Sequence, residues 1–420
     1  MTQTTTQQID FQEIQAYLTE RLPADLELLR QMVAINSFTA NPDGVNMVGE
    51  ITAVTFTPLG FTADYTQAAN PAYGKHLLLT RTAKTDRPAA KIALISHLDT
   101  VYTAQEEREN NFLWEEDGTR IYGPGTYDIK GGSIMILMVL SAIQQFYPAL
   151  FDSVTWILAF NAAEEALVRD FGDLCRQKIG DDAAAALVFE GGHRQGDTFK
   201  LVVARKGMAR YRIEVDGRSA HAGTSIDEGA SAIVQLAEVI QRVSALRNAE
   251  QGLSVNIGLI EGGTVTNRVP HFAAANGELR AFSTAVFNQA MADLRSMEQL
   301  STVKSIANGY PCRVRVLVQD EWSAWPRNAG SDNLLAVWQN AATDITILPE
   351  ERGGLSDGNY THTFAPTLDG LGPDGGNAHC AERSPDRSKE QEYIIIDSFV
   401  PKAMLNVAAI VSLIEQTTQF

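Results

Sequence analysis

The pattern of hydrophobic and polar residues changes twice along the chain. In the first part, apolar runs that do not alternate end in polar residues at 76–80, 92–96, 154–160 and 186–189. Runs of this length predict strands buried on both faces, as in a mostly parallel sheet covered by helices. Apolar and small residues over 131–146 predict a helix that makes a right-handed crossover between two of these strands. Upstream, helical spacing from Asp10 to about Ile35, interrupted at Pro23, predicts two helices.

From about 206 to 318 the strands alternate between polar and apolar residues. The predicted strands lie at 209–215, 254–260, 277–282 and 312–318, with helices near 228–247 and 286–307. This order is typical of a small ferredoxin-like α+β layer with one solvated sheet face. A helix near 331–343, a strand at 365–368 and a helix over 398–419 then continue the first pattern. The sequence thus predicts an α/β domain of residues 1–205 and 319–420, into which residues 206–318 are inserted.

Composition and charge narrow the function classes. The 420 residues exceed the usual size of one hydrophobic core, and 45% are hydrophobic. A net charge of −17 repels a polyphosphate backbone, so nucleic acid is excluded as a partner. The first residues lack a basic start followed by an apolar run, and we expect no later apolar run of membrane-spanning length. Three cysteines without CxxC spacing favour a reducing compartment, so we expect a cytoplasmic protein.

Three predicted buried strands are each followed by residues suited to chemistry. His97 and Asp99 follow one strand, Glu164 and Glu165 the next, and Glu190 a third. Ligands gather at the carboxyl ends of strands in an open α/β sheet, and Asp99 could hold the second nitrogen of a metal-binding His97. Adjacent glutamates could divide metal binding and proton transfer between them. A core histidine and solvated helix caps are the alternatives for these motifs taken singly.

Two glycine-rich segments add a carboxylate and a second histidine. Asp128 lies in GPGTYDIKGG and His379 ends GGNAH. The first segment alone could be a turn with a helix cap, and its spacing matches no phosphate-binding loop. Two imidazoles and three carboxylates (His97, Asp128, Glu165, Glu190 and His379) suffice for two zinc ions if one carboxylate bridges them.

In chain order, these motifs resemble those of the M20 family of metallopeptidases, and within it the glutamate carboxypeptidase (carboxypeptidase G2-like) branch. The set comprises SHLDT, GPGTYDIKGG, NAAEE, FEGG, GRSAHAG, GGTVTNRVP, GGLSDGN and GGNAH. Each motif is weak alone, but the ordered set covers most of the chain. The resemblance implies that Asp128 bridges two zinc ions, with His97 and Glu190 on one ion and Glu165 and His379 on the other. Cobalt or manganese could replace zinc on these ligands.

The resemblance also assigns roles outside the ligand set. It implies that Glu164 is the general base, that Asp99 belongs to the catalytic group, and that His221 reaches the active site of a partner subunit to stabilise the oxyanion. Asn267, Arg280 and Gly354 are implied in substrate binding, with Arg280 gripping a free carboxylate. A surface or core role for His221 and a solvated Arg280 are the alternatives. The inserted domain is implied to form a homodimer.

The expected activity is release of a C-terminal amino acid, with glutamate as a candidate, from a peptidyl or N-acyl substrate. An N-acyl amino acid deacylase or dipeptidase is the nearest alternative. A metal-stabilised binding protein without catalysis is the alternative of a different class. The sequence departs from the family at Ala166 to Arg169 and in the charged run that follows Cys380. Cys380 could make activity sensitive to thiol reagents, or be an inert buried thiol.

Overall fold

The computed structural model of the protein describes residues 11–85, 89–343 and 345–418. The interpretation of the first ten residues and the predicted helix ends at Asp10 and Gln419 lie outside these ranges. The helices are α1 Phe11–Val33, α2 Pro42–Phe56, α3 Ala104–Glu109, α4 Gly131–Phe146, α5 Pro148–Ser153, α6 Asp170–Ile179, α7 Ala232–Ser244, α8 Thr284–Ser296, α9 Ala329–Ala341, α10 Gly358–Thr361 and α11 Phe399–Thr418.

The strands follow the chain in the same way. They are β1 Thr62–Gln67, β2 Lys75–Arg81, β3 Lys91–His97, β4 Glu115–Asp117, β5 Arg120–Tyr122, β6 Thr155–Asn161, β7 Ala185–Val188, β8 His193–Gln195, β9 Thr198–Arg205, β10 Gly207–Asp216, β11 Ser254–Gly262, β12 Phe272–Ala281, β13 Arg313–Trp322, β14 Thr346–Arg352, β15 Thr367–Leu368, β16 Gly375–Gly376 and β17 Tyr393–Ile395.

The chain divides into two compact units. The first comprises the described residues of Met1–Val203, Arg327–Glu350 and Ser356–Phe420, and the second comprises Ala204–Pro326 and Glu351–Leu355. In the first unit a six-stranded sheet has the order β1-β2-β6-β3-β7-β15. The pairs β6–β3, β3–β7 and β7–β15 are parallel, while β1–β2 and β2–β6 are antiparallel. The predicted mixed, mostly parallel α/β sheet is confirmed, and α4 occupies the predicted residues 131–146.

The second unit is a four-stranded antiparallel sheet in the order β11-β12-β10-β13. Its chain order, β10-α7-β11-β12-α8-β13, is the predicted ferredoxin-like succession. Residues of α7 and α8 pack with alternate residues of β10 and β12 in a separate hydrophobic core. The periodicity identified this layer because one sheet face is buried and the other is solvated.

Two predicted helical segments are wrong in extent. The N-terminal segment is one helix, α1, that continues through Pro23 instead of two helices, and Arg21 pairs with Asp25 across the proline. The second segment, predicted over 286–307, ends as a helix at Ser296 and is followed by a single 3-10 turn at Met297–Gln299. Beyond it, the backbone N–H groups of 302 and 303 donate to the Gln235 side chain, which replaces helical hydrogen bonding.

Two helices in the described part of the chain are long and apolar enough to cross a membrane by length and composition. They span Thr126–Phe146 and Ile396–Thr417, and their apolar windows are 83% and 61% buried within the protein. The expectation that no apolar run reaches this length is therefore wrong. Burial of this extent is typical of core helices, which pass the same test.

Candidate metal centre

Three neighbouring strands bring candidate ligands to one edge of the six-stranded sheet. The strand β3 ends at His97 and lies between β6 and β7, both parallel to it. Glu164 and Glu165 follow β6, and Glu190 follows β7 by two residues. Because the carboxyl ends of parallel strands lie at the same edge, these side chains share one region.

Asp128 and His379 come from loops. Gly125 precedes Asp128 with φ +76°, and a Cβ there would lie 2.7 Å from the Thr100 side chain, so both backbone angle and space favour glycine. His379 has φ 66°, a left-handed conformation that is uncommon for a residue with a side chain. The two loops carry their ligands to the same place as the strand ends.

The side chains form two groups that share Asp128. Asp128 Oδ1 lies 3.0 Å from His97 Nε2, which is 4.0 Å from Glu190 Oε1. Asp128 Oδ2 lies 3.3 Å from His379 Nε2, which is 3.2 Å from Glu165 Oε2. Within each group, the potential ligand atoms lie within 4.8 Å of one another, and the same holds for a third group of His97, Glu164 and Glu165. The side chain of His97 is 1% exposed and that of His379 is 55% exposed, so the centre reaches solvent on one side.

Asp99 supports the centre through its backbone and its carboxylate. His97 Nδ1 lies 3.0 Å from the Asp99 carbonyl oxygen and 3.4 Å from its Oδ1, so the carbonyl is the nearer acceptor. The carboxylate accepts the backbone N–H groups of Glu164 and Glu165 at 3.0 and 3.2 Å. It also accepts the Thr39 hydroxyl at 2.6 Å. Asp99 therefore fixes both the histidine and the turn that carries the two glutamates.

The crowding of carboxylates shifts their proton affinities. Burial and the charge of Asp128 raise the pKa of Glu165 to about 7. Burial also raises the pKa of Glu164 well above its usual range, with the charges of Glu165 and Glu190 adding to the effect. Burial acts in the same direction on Asp128, but hydrogen bonds from His379 and His97 outweigh it and lower its pKa. The centre thus holds more negative charge than its two histidines offset.

The predicted residues of the second unit lie in two places. His221 and Asn267 line a cleft of about 470 Å³ together with Val265 and Arg268. His221 Nδ1 accepts the backbone N–H groups of residues 223 and 224 at 3.0 and 3.2 Å, which leaves the ring proton on Nε2.

Arg280 is held by its own unit. Its guanidinium binds both carboxylate oxygens of Glu278 at 3.0 and 3.1 Å, and donates to the Gly353 carbonyl at 3.3 Å. The Gly354 carbonyl accepts from Arg205 at 3.1 Å. Arg280 therefore lies in an ion pair, with its side chain 29% exposed.

Several residues that support the centre were not assigned from the sequence. Asn161 donates to Asp357 at 2.8 Å and accepts the N–H of Ala163 at 3.0 Å, which braces the turn before Glu164. The motifs NAAEE and GGLSDGN contain both side chains, although neither motif reveals that they meet. The buried carboxylate of Glu392 binds the Asp128 backbone, and no motif marked it.

The charged run after His379 is attached to a neighbouring hairpin. Arg383 pairs with Glu115 at 2.8 Å and Arg387 with Asp117 at 2.8 Å, both on the side of β4. Cys380 is exposed, which excludes the alternative of a buried thiol. The departure from the family pattern is thus an ordered extension beside His379.

Comparisons with known proteins were made for the sequence and for the fold. Residues 203–299 match the family model described as "Peptidase dimerisation domain". Carboxypeptidase G2 of Pseudomonas sp. strain RS-16 is 26% identical over 401 residues, covering 94% of this chain and 90% of that protein. Acetylornithine deacetylase of Erwinia tasmaniensis is 26% identical over 265 residues, covering 59% of this chain and 65% of that protein.

Among solved structures, aminopeptidase PepT of Bacillus cereus superposes with a TM-score of 0.71 at 22% identity, covering 94% of this chain and 98% of that one. An M20 family metallo-carboxypeptidase of Sulfolobus solfataricus superposes with a TM-score of 0.65 at 14% identity, covering 93% and 99%. The chain is thus similar to M20 metallopeptidases over most of its length. It is therefore a hydrolase of the peptidase and amidohydrolase class, and the resemblance drawn from the ordered motifs is confirmed.

The M20 family uses divalent metal ions, and the residues of this chain fit such ions. Glu165 Oε1 is buried and, among the described residues, accepts no hydrogen bond. A buried carboxylate oxygen without a donor is costly unless a cation binds it. The surrounding donors are imidazole nitrogens and carboxylate oxygens, which are the ligands that zinc and similar ions take.

Proposed function

We propose that the protein is a two-zinc amidohydrolase that releases a C-terminal amino acid from a peptidyl or N-acyl substrate. The observation that carries this proposal is the pair of ligand groups that share Asp128, with the buried Glu164 next to them. His97 and Glu190 would hold one ion, Glu165 and His379 the other, with Asp128 between them. Two ions held by these residues would supply a Lewis acid for a carbonyl oxygen and would lower the pKa of a water molecule toward neutrality.

Glu164 would move the proton. Its carboxylate takes a proton from the attacking water and returns it to the nitrogen of the leaving amine. Burial raises its pKa, which makes it a stronger base than an exposed glutamate. The hydrogen bond from the Glu164 N–H to Asp99 keeps the start of this side chain fixed beside the ligands.

His221 would stabilise the oxygen that becomes negative as the amide carbonyl is attacked. Because its Nδ1 accepts two backbone N–H groups, Nε2 carries the proton that such an oxygen requires. We infer that a second copy of the chain supplies this residue. The match to a dimerisation domain over residues 203–299 supports a homodimer.

The substrate is proposed to carry a free carboxylate, which Arg280 would bind with the help of Asn267 and Gly354. Arg280 offers a local positive charge on a protein of net charge −17. Carboxypeptidase G2 covers nearly the whole chain in the comparison, which favours an amino acid as the leaving group, with glutamate the first to try. The partial match to acetylornithine deacetylase favours an N-acyl amino acid as the second candidate.

The cytoplasm is the proposed location. Cys175, Cys312 and Cys380 are free thiols, as a reducing compartment would keep them. A binding protein without catalysis is the competing proposal. It needs no proton carrier at Glu164, but Glu164 could also be a metal ligand with His97 and Glu165, so the zinc content of a Glu164 variant separates the two roles.

The test compares wild type with Glu164→Gln on a panel of dipeptides and N-acyl amino acids, with zinc content measured for both. We expect wild type to release an amino acid, and the variant to bind zinc normally while kcat falls by about a hundredfold or more. Glu250→Gln is a control that removes an exposed carboxylate from the second unit. Near-full activity of Glu164→Gln would disprove the role of the base, and a zinc-loaded wild type that cleaves nothing would favour the binding protein.

A further inference from the structure

Glu392 is a buried carboxylate next to the shared ligand. The residue is 0% exposed and directly precedes the short strand β17. Its Oε1 accepts the backbone N–H groups of Tyr127 and Asp128 at 2.8 and 3.1 Å. Its Oε2 accepts the Tyr102 hydroxyl at 2.6 Å. Three donors therefore satisfy the two oxygens of a carboxyl group that would otherwise be costly to bury.

The backbone of Glu392 reaches the second ligand loop. Its N–H donates at 2.8 Å to the carbonyl oxygen of Cys380, the residue that follows His379. The adjoining β17 pairs on one side with β5 and on the other with β16, which leads into the His379 loop. One residue thus joins the loop of Asp128 to the loop of His379.

We propose that Glu392 is a positioning residue that sets the place of the Asp128 carboxylate between the two ligand groups. This inference rests on the proposed function, because it concerns the same metal centre. The two N–H groups on one oxygen fix the peptide planes on either side of the Tyr127 α-carbon, and the second of these planes leads directly to the Asp128 α-carbon, from which the side chain extends. Asp128 must present one oxygen to the His97 group and the other to the His379 group, so a shift of its backbone disturbs both groups together.

Charge alone does not explain why a glutamate lies at position 392. Glu392 and Asp128 are both acidic, and their charges oppose each other. Electrostatics would favour a neutral or positive side chain beside a carboxylate that is already crowded. What glutamate supplies is an acceptor at the right reach for two adjacent N–H groups.

Two substitutions distinguish the effect of the length of the Glu392 side chain from the effect of its charge. Glu392→Asp keeps the charge but shortens the side chain by one methylene, while Glu392→Gln keeps the reach and an acceptor oxygen but removes the charge. Each variant is stripped of metal with a chelator, and zinc affinity is measured by competition with a chromophoric chelator. Circular dichroism of the metal-free proteins checks folding. Glu27→Gln is the control, because its carboxylate pairs with Arg30 on α1, outside both ligand loops.

We expect Glu392→Asp to bind zinc about ten- to a hundredfold more weakly than wild type, as loss of a ligand's supporting partner typically does. Glu392→Gln should stay within about threefold, because its carbonyl oxygen accepts both N–H groups. Glu27→Gln should keep the wild-type affinity. If Glu392→Asp fails to fold, Glu392→Ala is compared with Glu392→Gln instead. We expect the same loss of zinc affinity in the alanine variant.

The inference would be overturned if Glu392→Asp kept the wild-type zinc affinity, or if Glu392→Gln bound zinc more weakly than Glu392→Asp. Either result would leave the proposed function intact. A wild-type protein that binds no zinc would overturn the proposed function, and this inference with it.

Discussion

At the scale of single residues, the centre is a site where folding has confined acids that repel one another. Burial is the first cause that raises the pKa of Glu165 and of Asp357 to about 7, and that of Glu392 to about 8. Charges of Asp128 or Asp99 add to the shift in each case. In the absence of a cation, these groups are stabilised by taking up protons.

We therefore expect the metal-free protein to lose stability as pH rises from about 5 to about 7.5. A carboxyl whose pKa is raised by folding stabilises the folded state fully below its unfolded pKa, about 4.3 for glutamate, and this contribution is lost as pH rises through the folded pKa. For Glu165 and Asp357 that value is about 7, and for Glu392 about 8. Thermal unfolding in chelator should give a lower midpoint at the higher pH.

Other groups near the centre do not reverse this sign. Hydrogen bonds to Asp128 and Glu165 raise the pKa of His379 to about 11, so its contribution is also lost as pH rises. Asp128 has the opposite sign, but its contribution is lost only under more acidic conditions. Burial lowers the pKa of Lys130 to about 8, which affects stability mainly above the tested range.

Zinc supplies the control for the pH experiment. Because the cation takes the place of the protons, zinc should raise the midpoint more at about pH 7.5 than at about pH 5. Glu165→Gln removes one of the acids and should show a smaller drop between the two pH values. A metal-free midpoint that rises with pH would contradict this description of the centre.

At the scale of elements, the ligands depend on close contact between α4 and the end of β7. A Cβ at Gly132, in the first turn of α4, would lie 2.0 Å from the carbonyl oxygen of Phe189, which precedes Glu190. Helix interiors ordinarily favour alanine over glycine by about 1 kcal/mol. Here we expect Gly132→Ala to lower the free energy of unfolding by about 1–3 kcal/mol, as overpacking does.

Zinc affinity should fall together with stability in Gly132→Ala, because the displaced carbonyl moves Glu190. Gly49→Ala, inside α2, is the matched control. The nearest atom to its added Cβ is the flexible end of Leu98 at 3.3 Å, so we expect little change or a small gain in stability. Chemical denaturation of the two metal-free variants measures their stability, and competition with a chromophoric chelator measures their zinc affinity. A Gly132→Ala protein as stable as Gly49→Ala would show that α4 and β7 can separate without cost.

What the sequence could predict at this scale follows from how each element is stabilised. Strands buried on both faces, such as β3 and β6, are continuous apolar runs and were predicted. The strand β1 was not, because it is an exposed, polar sequence that gains its structure by pairing with β2. The length of α8 was overestimated because apolar spacing continues past Ser296, where Gln235 satisfies the backbone instead.

The same distinction holds for the centre. Its ligands follow strand ends or glycine turns, and their order along the chain is specific to a family. Glu392 lies 290 residues from Tyr102 and 265 from Tyr127, so no local spacing records their meeting. Tertiary packing alone brings such supporting residues together.

At the scale of the whole molecule, the second unit presents features of an interface. Side chains of α7 and β11 are large, apolar and exposed: Ile233 44%, Val234 58%, Leu259 67% and Ile260 66%. Clustered apolar exposure of this kind marks association sites. The strand β11 is also an edge of its sheet, with backbone groups available to pair with another chain. These features agree with the match to a dimerisation domain over residues 203–299.

If a homodimer forms and His221 acts on the partner's centre, two inactive variants should restore each other's activity. Glu164→Gln lacks the base but has an intact His221, and His221→Ala has the reverse. In a mixed dimer, one centre would receive both changes and the other neither. After subunit exchange, we expect about a quarter of the wild-type rate, because half of the dimers are mixed and each mixed dimer has one complete site.

The alternative of a surface or core role for His221, or a role within its own subunit, predicts a different result. If His221 acts within its own subunit, every centre in the mixture lacks one of the two residues, and activity stays at the level of the separate variants. If His221 has no catalytic role, His221→Ala is active before mixing. Mixing Glu164→Gln with Glu165→Gln is the control, because both changes then lie in the same unit and each mixed dimer contains two defective centres. Recovery in that control would show that the rate arises from something other than a shared site, whereas recovery with His221→Ala alone requires a dimer in which each subunit completes the other.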